Sequence, residues 1–271
     1  MKINKVLYWL LIIILATVMV VSGTLVVRYL LDSARQNDAY DELAALVENS
    51  RVESDPSESA ATAPVTGLPE STEETKETEP VILPDYAALL ELNNDMVGWM
   101  TIEGTPIDYP VMQTPDRPDY YLERNFYHEH NAHGCLYVRE SCDVFAPSDN
   151  VTVYGHHMKD GSMFAGLKKF YSQSFWEEYP TIRFDTLYEH RTYTIFAVFT
   201  TTASVDRGFS YHSFENAIDE ADFDDFIATC KALSLFDTGI TPKYGDKIIC
   251  LSTCEYSRDN GRLVVAAVLN P

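Results

Sequence analysis

The sequence predicts a mainly β fold, a barrel or sandwich with a few added helices, carried behind one apolar N-terminal helix. Three observations predict it. Short strand-like segments separated by Gly, Pro, Asn and Asp recur from Gly98 onward, few helical patterns interrupt them, and the chain closes on two apolar runs, Lys247–Cys254 and Arg262–Leu269, joined by a polar loop. Such a chain lacks the strand–helix alternation of a parallel α/β sheet and builds from hairpins.

Taken in order, Val6–Val27 is an uncharged apolar run, longer than the about 20 residues that cross a bilayer as a helix. It also exceeds the apolar core of a secretory signal, and no small-x-small site follows it, so it reads as an uncleaved anchor. Lys2 and Lys5 precede it, while Arg28 and Arg35 follow among acids. That weak bias puts the N-terminus in the cytoplasm and the bulk of the chain outside.

Asp32–Asp85 holds fourteen acidic residues against Arg35, Arg51 and Lys76, about half of the chain's net charge of −21. Leu31–Val47 keeps near-helical apolar spacing and prolongs the membrane helix as a stalk. Glu53–Pro80 is Glu, Ser, Thr and Pro with almost no large apolar side chain, the composition of a self-repelling spacer. The expected domains are therefore an anchor over 1–30, an acidic stalk and linker over 31–83, and one folded domain over 84–271. This acidity excludes nucleic acid as a partner and a basic patch that hugs anionic lipid.

In the folded domain, Asp85 is expected to cap a helix through Tyr86, Leu89, Leu90 and Leu92. Strands follow at Gly98–Ile102, Ile107–Met112, Gly134–Val138, Asn150–Gly155, Thr181–Phe184 and Thr192–Thr200, with helices at Ser162–Tyr171 and Phe214–Leu233. No glycine-rich phosphate loop and no internal repeat occurs, so nucleotide chemistry is excluded and no cofactor is expected.

Chemistry concentrates in the closing hairpin. Arg262–Leu269 is a nearly continuous Val/Ala/Leu run, the pattern of a strand buried on both faces. Asp259-Asn260-Gly261 is turn chemistry, and a seven-residue loop Glu255–Gly261 sets Cys254 roughly opposite Arg262. A neighbouring guanidinium favours thiolate over thiol and can hydrogen-bond an oxyanion. The competing reading is a small core cysteine beside a solvated arginine. Of the other cysteines, Cys135, Cys230 and Cys250 sit in apolar contexts and read as buried structural residues; Cys135 and Cys142 could pair, although no spacing demands it.

A nucleophilic thiol needs a base. His128, His130 and His133 form a cluster of zinc-like spacing, but they lie in the polar segment Tyr127–Gly134 with no helix to align them, so a solvated loop and no metal is expected. Val151-Thr152-Val153-Tyr154-Gly155-His156-His157 is a strand that ends in glycine and then presents two imidazoles. Its rigidity suits a catalytic base, and Gly155 admits a close approach. The residues alone leave His156 and His157 equal.

VYGHHMKDGSMF, LSTCEY and GRLVVAA, with GWMTIEGTPIDYPVMQ and DYYLERNF earlier, resemble the sortases, and class B in particular, over roughly Pro84 to Pro271. The resemblance implies a closed sortase-type β-barrel with inserted and N-terminal helices. It implies Cys254 as nucleophile, His156, which directly follows the glycine, as general acid and base, and Arg262 as the oxyanion-stabilising residue. Ser252, Glu255 (through a nearby backbone N–H) and Phe209 are implied as substrate contacts, each of the side chains reading equally well as packing.

The implied partners are a surface protein carrying a sorting signal, Asn-Pro-x-Thr-Asn or (Ser/Asn)-Pro-x-Thr-Gly in type, and a peptidoglycan cross-bridge or precursor amine. The implied place is the cell membrane, single-pass, with the catalytic domain outside. Other readings are a pilin-polymerising sortase with a lysine acceptor, a cell-wall thiol hydrolase, and a non-enzymatic surface binding module. A hydrolase of that kind usually opens a helix with its cysteine, whereas Cys254 ends a strand.

Overall fold

The computed structural model describes residues 5–54, 80–202, 208–255 and 260–271. Most of the expected spacer, and Asp259 of the closing turn, lie outside the described residues. The chain divides into two compact units, Met1–Glu42 and Leu43–Pro271.

The first unit is helical. One helix, α1 (Lys5–Ser54), runs through both the apolar segment and the expected stalk. Its apolar side chains between Tyr8 and Leu31 are exposed, and the helix is long and apolar enough to cross a membrane. Thr17 and Thr24 donate their hydroxyls back to the carbonyls of Ile13 and Val20, both at 2.9 Å. That internal satisfaction is what hydrocarbon surroundings require of a polar side chain.

The second unit is an eight-stranded closed barrel: β1 (Met96–Thr101), β2 (Asp108–Met112), β3 (Leu136–Val138), β4 (Asn150–Tyr154), β5 (Thr181–Thr186), β6 (Thr192–Thr202), β7 (Ile248–Glu255) and β8 (Gly261–Leu269). The barrel order is β1-β2-β3-β4-β7-β8-β6-β5, with β5 returning to β1, so no edge is left open. Pairing is antiparallel except at β2–β3 and β4–β7. All the strands expected from sequence are present, their ends shifted by no more than two residues. At the closure Gly98 is obligatory: a Cβ there would sit 2.1 Å from the Asp185 carbonyl oxygen.

The middle of β8 is buried on both faces, with Leu263–Ala267 at most 1% exposed. Its outer face packs under α4 (Glu220–Leu233), where Val264 and Ala266 meet Phe199, Tyr211, Phe223 and Phe226. The expected helix Phe214–Leu233 starts later, at Glu220, because the Asp219 side chain accepts from Asp222 N–H and caps it there. Phe214 nevertheless packs on the same core from irregular chain, stacked on Phe226 with ring centroids 4.0 Å apart. The expected Ser162–Tyr171 helix is a 3₁₀ segment, Phe164–Tyr171, followed by the short α3 (Gln173–Glu178).

α2 (Pro84–Leu92) is opened by its proline rather than capped by Asp85. Asp85 instead pairs with Arg51 at 2.9 Å. Arg51 also stands 3.5 Å from Asp185, a fully buried carboxylate that accepts from Tyr86 Oη at 2.6 Å and has Arg183 and His190 each at 3.0 Å. This ionic cluster ties the last turn of α1 to α2 and β5.

Candidate active site

Cys254 is the next-to-last residue of β7 and Arg262 the second of β8, and they are Cα partners in the antiparallel ladder. Residues directly opposite one another project to the same face, so thiol and guanidinium share a side of the sheet. The ladder runs one pair further, to Glu255 and Gly261, so the expected seven-residue loop contracts to 256–260. Asn260 takes the left-handed conformation its turn role calls for, with φ of 54°. Arg262 Nη1 donates to the carbonyls of Asn260 at 3.4 Å and Gly261 at 3.0 Å, which folds the guanidinium toward the turn.

None of the five cysteines is in a disulfide, and only Cys254 is not buried. Burial pushes the Cys142 thiol up to about 11 and those of Cys230 and Cys250 higher still. Those three are neutral, inert thiols at physiological pH. The accessible sulfur is the one beside the arginine.

β4 supplies the imidazoles. It pairs in parallel with β7 up to Tyr154 opposite Ser252. Gly155 N–H continues to the Ser252 carbonyl at 3.2 Å, and Thr253 Oγ1 donates to the Gly155 carbonyl at 2.8 Å. His156 follows Tyr154 by two residues and Cys254 follows Ser252 by two, so both lie just past the last paired rung of these adjoining strands. A Cβ on Gly155 would come within 2.5 Å of Leu136 Cδ2 and 2.6 Å of Phe164 Cδ2. The close approach that this glycine admits is made by barrel side chains.

His156 Nε2 lies 2.7 Å from the Leu122 carbonyl, and the His156 carbonyl accepts from Phe164 N–H at 2.9 Å. A carbonyl only accepts, so Nε2 carries a proton and Nδ1 is the nitrogen left for chemistry. The partner that orients His156 is thus a backbone carbonyl, which no sequence signal marks. His157 faces another way, its Nδ1 3.1 Å from the Cys254 carbonyl.

The remaining expected residues lie beside or beneath this group. Ser252 is buried, its hydroxyl 2.5 Å from Tyr211 Oη. Phe209 packs between Phe199 and Phe226 in the cluster under α4, with its N–H on Thr201 Oγ1 at 2.9 Å. Glu255 is half-buried and sits in the ladder opposite Gly261. Two neighbours were not expected from sequence. Arg139 pairs with Glu215 at 3.1 Å, and His212 is held below the ordinary histidine range, first by burial and then by the charges of Arg139 and Arg262.

The three histidines of the 128–133 segment diverge. His128 Nδ1 faces the hydroxyls of Tyr120 and Tyr121, His130 Nδ1 faces the Glu123 carbonyl, and buried His133 pairs with Asp160 at 2.8 Å. Among the described residues no group of three or more potential ligands is gathered for a metal.

A sortase-domain family profile matches residues 100–270. The sortase B of Listeria monocytogenes is 36% identical over 184 residues, covering 67% of this chain and 72% of that protein. The sortase B of Staphylococcus aureus is 32% identical over 188 residues, covering 69% and 75%. Among solved structures, a Bacillus anthracis sortase B in complex with AAEK1 superposes with TM-score 0.67 at 31% identity, covering 88% of this chain and 98% of that one. The fold also matches a Staphylococcus aureus sortase B–substrate complex, with TM-score 0.73 at 24% identity over 89% and 98%. The chain belongs to the sortase family, the cysteine transpeptidases of surface-protein sorting. Within that family it is of class B, as those relatives are.

Proposed function

We propose that the protein is a membrane-anchored sortase that cleaves a sorting signal of the Asn-Pro-x-Thr-Asn or (Ser/Asn)-Pro-x-Thr-Gly type after its threonine and joins the surface protein to a cell-wall amine. In this reading residues 1–30 anchor the chain, 31–83 include the acidic spacer, and 84–271 hold the catalytic barrel outside the membrane. The cross-ladder pairing of Cys254 with Arg262, with His156 just past the end of the adjoining strand β4, carries the reading.

Cys254 gives its thiol proton to His156 Nδ1, the resulting thiolate attacks the threonine carbonyl carbon, and Arg262 stabilises the oxyanion that forms there. The Glu255 N–H is the second donor that resemblance implies, but its residue is already paired with Gly261, so Arg262 bears most of this role. As the C–N bond breaks, His156 imidazolium passes a proton to the departing amine and a thioester to Cys254 remains. The incoming amine then attacks the thioester, its proton returns through His156, and the thiol is regenerated with a new amide. Ser252 and Phe209 shape the floor of the substrate groove from below.

Cleavage of a fluorogenic sorting peptide tests this. Cys254→Ala and His156→Ala should each abolish turnover with the fold intact, and wild-type protein should form an amide product when an amine acceptor is supplied. Turnover by either variant sinks the site assignment. Hydrolysis without amide formation at any acceptor concentration sinks the proposed outcome of the reaction.

A further inference from the structure

β4 stops one rung short of the nucleophile. Its side of the parallel ladder holds alternate carbonyls of β7, and the last backbone rung runs from Gly155 N–H to the Ser252 carbonyl at 3.2 Å. The next carbonyl on that side belongs to Cys254. By then the chain has turned away: the His156 carbonyl accepts from Phe164 N–H, and His157 bridges to Met163. The missing rung is supplied by a side chain, His157 Nδ1 at 3.1 Å from the Cys254 carbonyl. Since the carbonyl only accepts, Nδ1 carries the proton.

We propose that His157 is a positioning residue for the transpeptidase reaction: its imidazole completes the β4–β7 ladder and fixes the backbone frame from which Cys254 Sγ projects toward His156 and Arg262. The proposal rests on the reading of Cys254 as the nucleophile. On its β8 side the end of β7 is held by the Cys254–Arg262 and Glu255–Gly261 pairs. On its β4 side the holds nearest the sulfur are the Thr253 hydroxyl on Gly155 and the His157 bond. Loss of the His157 bond leaves the Cys254 peptide held from one edge, directly before the turn. Thiol placement is what catalysis depends on most steeply, a displacement of about 1 Å costing up to about a hundredfold in rate. The adjacent imidazoles thus divide the work: His156 is anchored through Nε2 and offers Nδ1, whereas His157 spends Nδ1 on the backbone.

The experiment compares His157→Ala, His157→Asn and His157→Gln with wild type in full-length protein, reading kcat and KM on a sorting peptide, the rate of Cys254 alkylation and the melting temperature. The asparagine amide nitrogen can occupy the place of Nδ1, while that of glutamine reaches toward the place of Nε2. His157→Ala and His157→Gln should lower kcat by about tenfold, the worth of one well-placed hydrogen bond, with KM little changed. His157→Asn should recover most of that loss. Wild-type kcat in His157→Ala, a loss confined to KM, or His157→Asn no better than His157→Gln overturns the proposal. If His157→Ala fails to fold, the asparagine–glutamine comparison decides alone. Cys254→Ala is run beside them: turnover there means that the nucleophile reading has failed, whereas an inactive Cys254→Ala with undiminished His157→Gln means that only the role of His157 has.

Discussion

Cys254 and Arg262 are direct partners across the β7–β8 ladder, one pair from the point where the strands pass into their turn. In the proposed reaction that pairing makes the planar guanidinium, and not merely a positive charge, the neighbour of the reacting carbonyl. Arg262→Lys keeps the charge but loses the fork of donors. Its kcat/KM on a sorting peptide should fall by about 10²-fold, the scale of losing an oxyanion donor. The melting temperature should hold, because β8 is anchored by the fully buried Leu263–Ala267. Near-normal turnover would mean that Arg262 only packs.

His212 reports on the same charge. Its folded-state pKa lies below the ordinary value because burial, Arg139 and Arg262 disfavour the imidazolium. Its neutral form therefore contributes stability in full above the unfolded value of about 6.5, and that contribution is lost as pH falls from there toward the folded pKa. Wild-type protein should lose melting temperature over that window, and His212→Asn should flatten the loss. Arg262→Ala should move the His212 titration upward when followed by NMR. An unmoved His212 would show that the two side chains do not sense one another.

Asp185 is fully buried and serves Tyr86, Arg51, Arg183 and His190 at once. Removing the carboxylate takes a partner from Arg51, which keeps Asp85, and from Arg183; both guanidinium groups are partly exposed, so the loss is about 1–3 kcal/mol, below that of a wholly buried pair. Asp185→Asn should lower the stability of the Leu43–Pro271 unit by that order in urea unfolding, while the Cys254 alkylation rate at low temperature stays at the wild-type value. A coupled fall in alkylation would place this cluster within reach of the site.

The strands were legible in the sequence because Val- and Thr-rich runs between turn residues have few other outlets, and the Cys254–Arg262 pair was legible because a turn with Asn260-Gly261 fixes which residues face each other. What stayed hidden depends on contacts between distant segments. The partner of His156 is a backbone carbonyl at Leu122, for which any residue would serve. Asp85 looked like a helix cap because its partner, Arg51, stands 34 residues earlier in the chain. Phe214 and Ala217 looked helical because irregular chain can pack on the same core as the helix that follows.

Gly155 separates backbone geometry from chemistry at the site. Its backbone is not in a conformation reserved for glycine; the constraint is the space around it, with Leu136 and Phe164 each under 3 Å from where a Cβ would stand. Both side chains are fully buried and have no free volume into which to withdraw. The methyl of Gly155→Ala must therefore push the end of β4 outward, carrying His156 off the Leu122 carbonyl and loosening the Gly155 rung on Ser252. Overpacking of this kind costs about 1–3 kcal/mol, which leaves the barrel folded. Turnover should fall by about 10²-fold or more, since the displaced group is the proposed base. Alkylation of Cys254 should fall far less, because β7 keeps its full pairing with β8. Equal losses in turnover and alkylation would instead mean that the β4 end and the nucleophile strand move as one body.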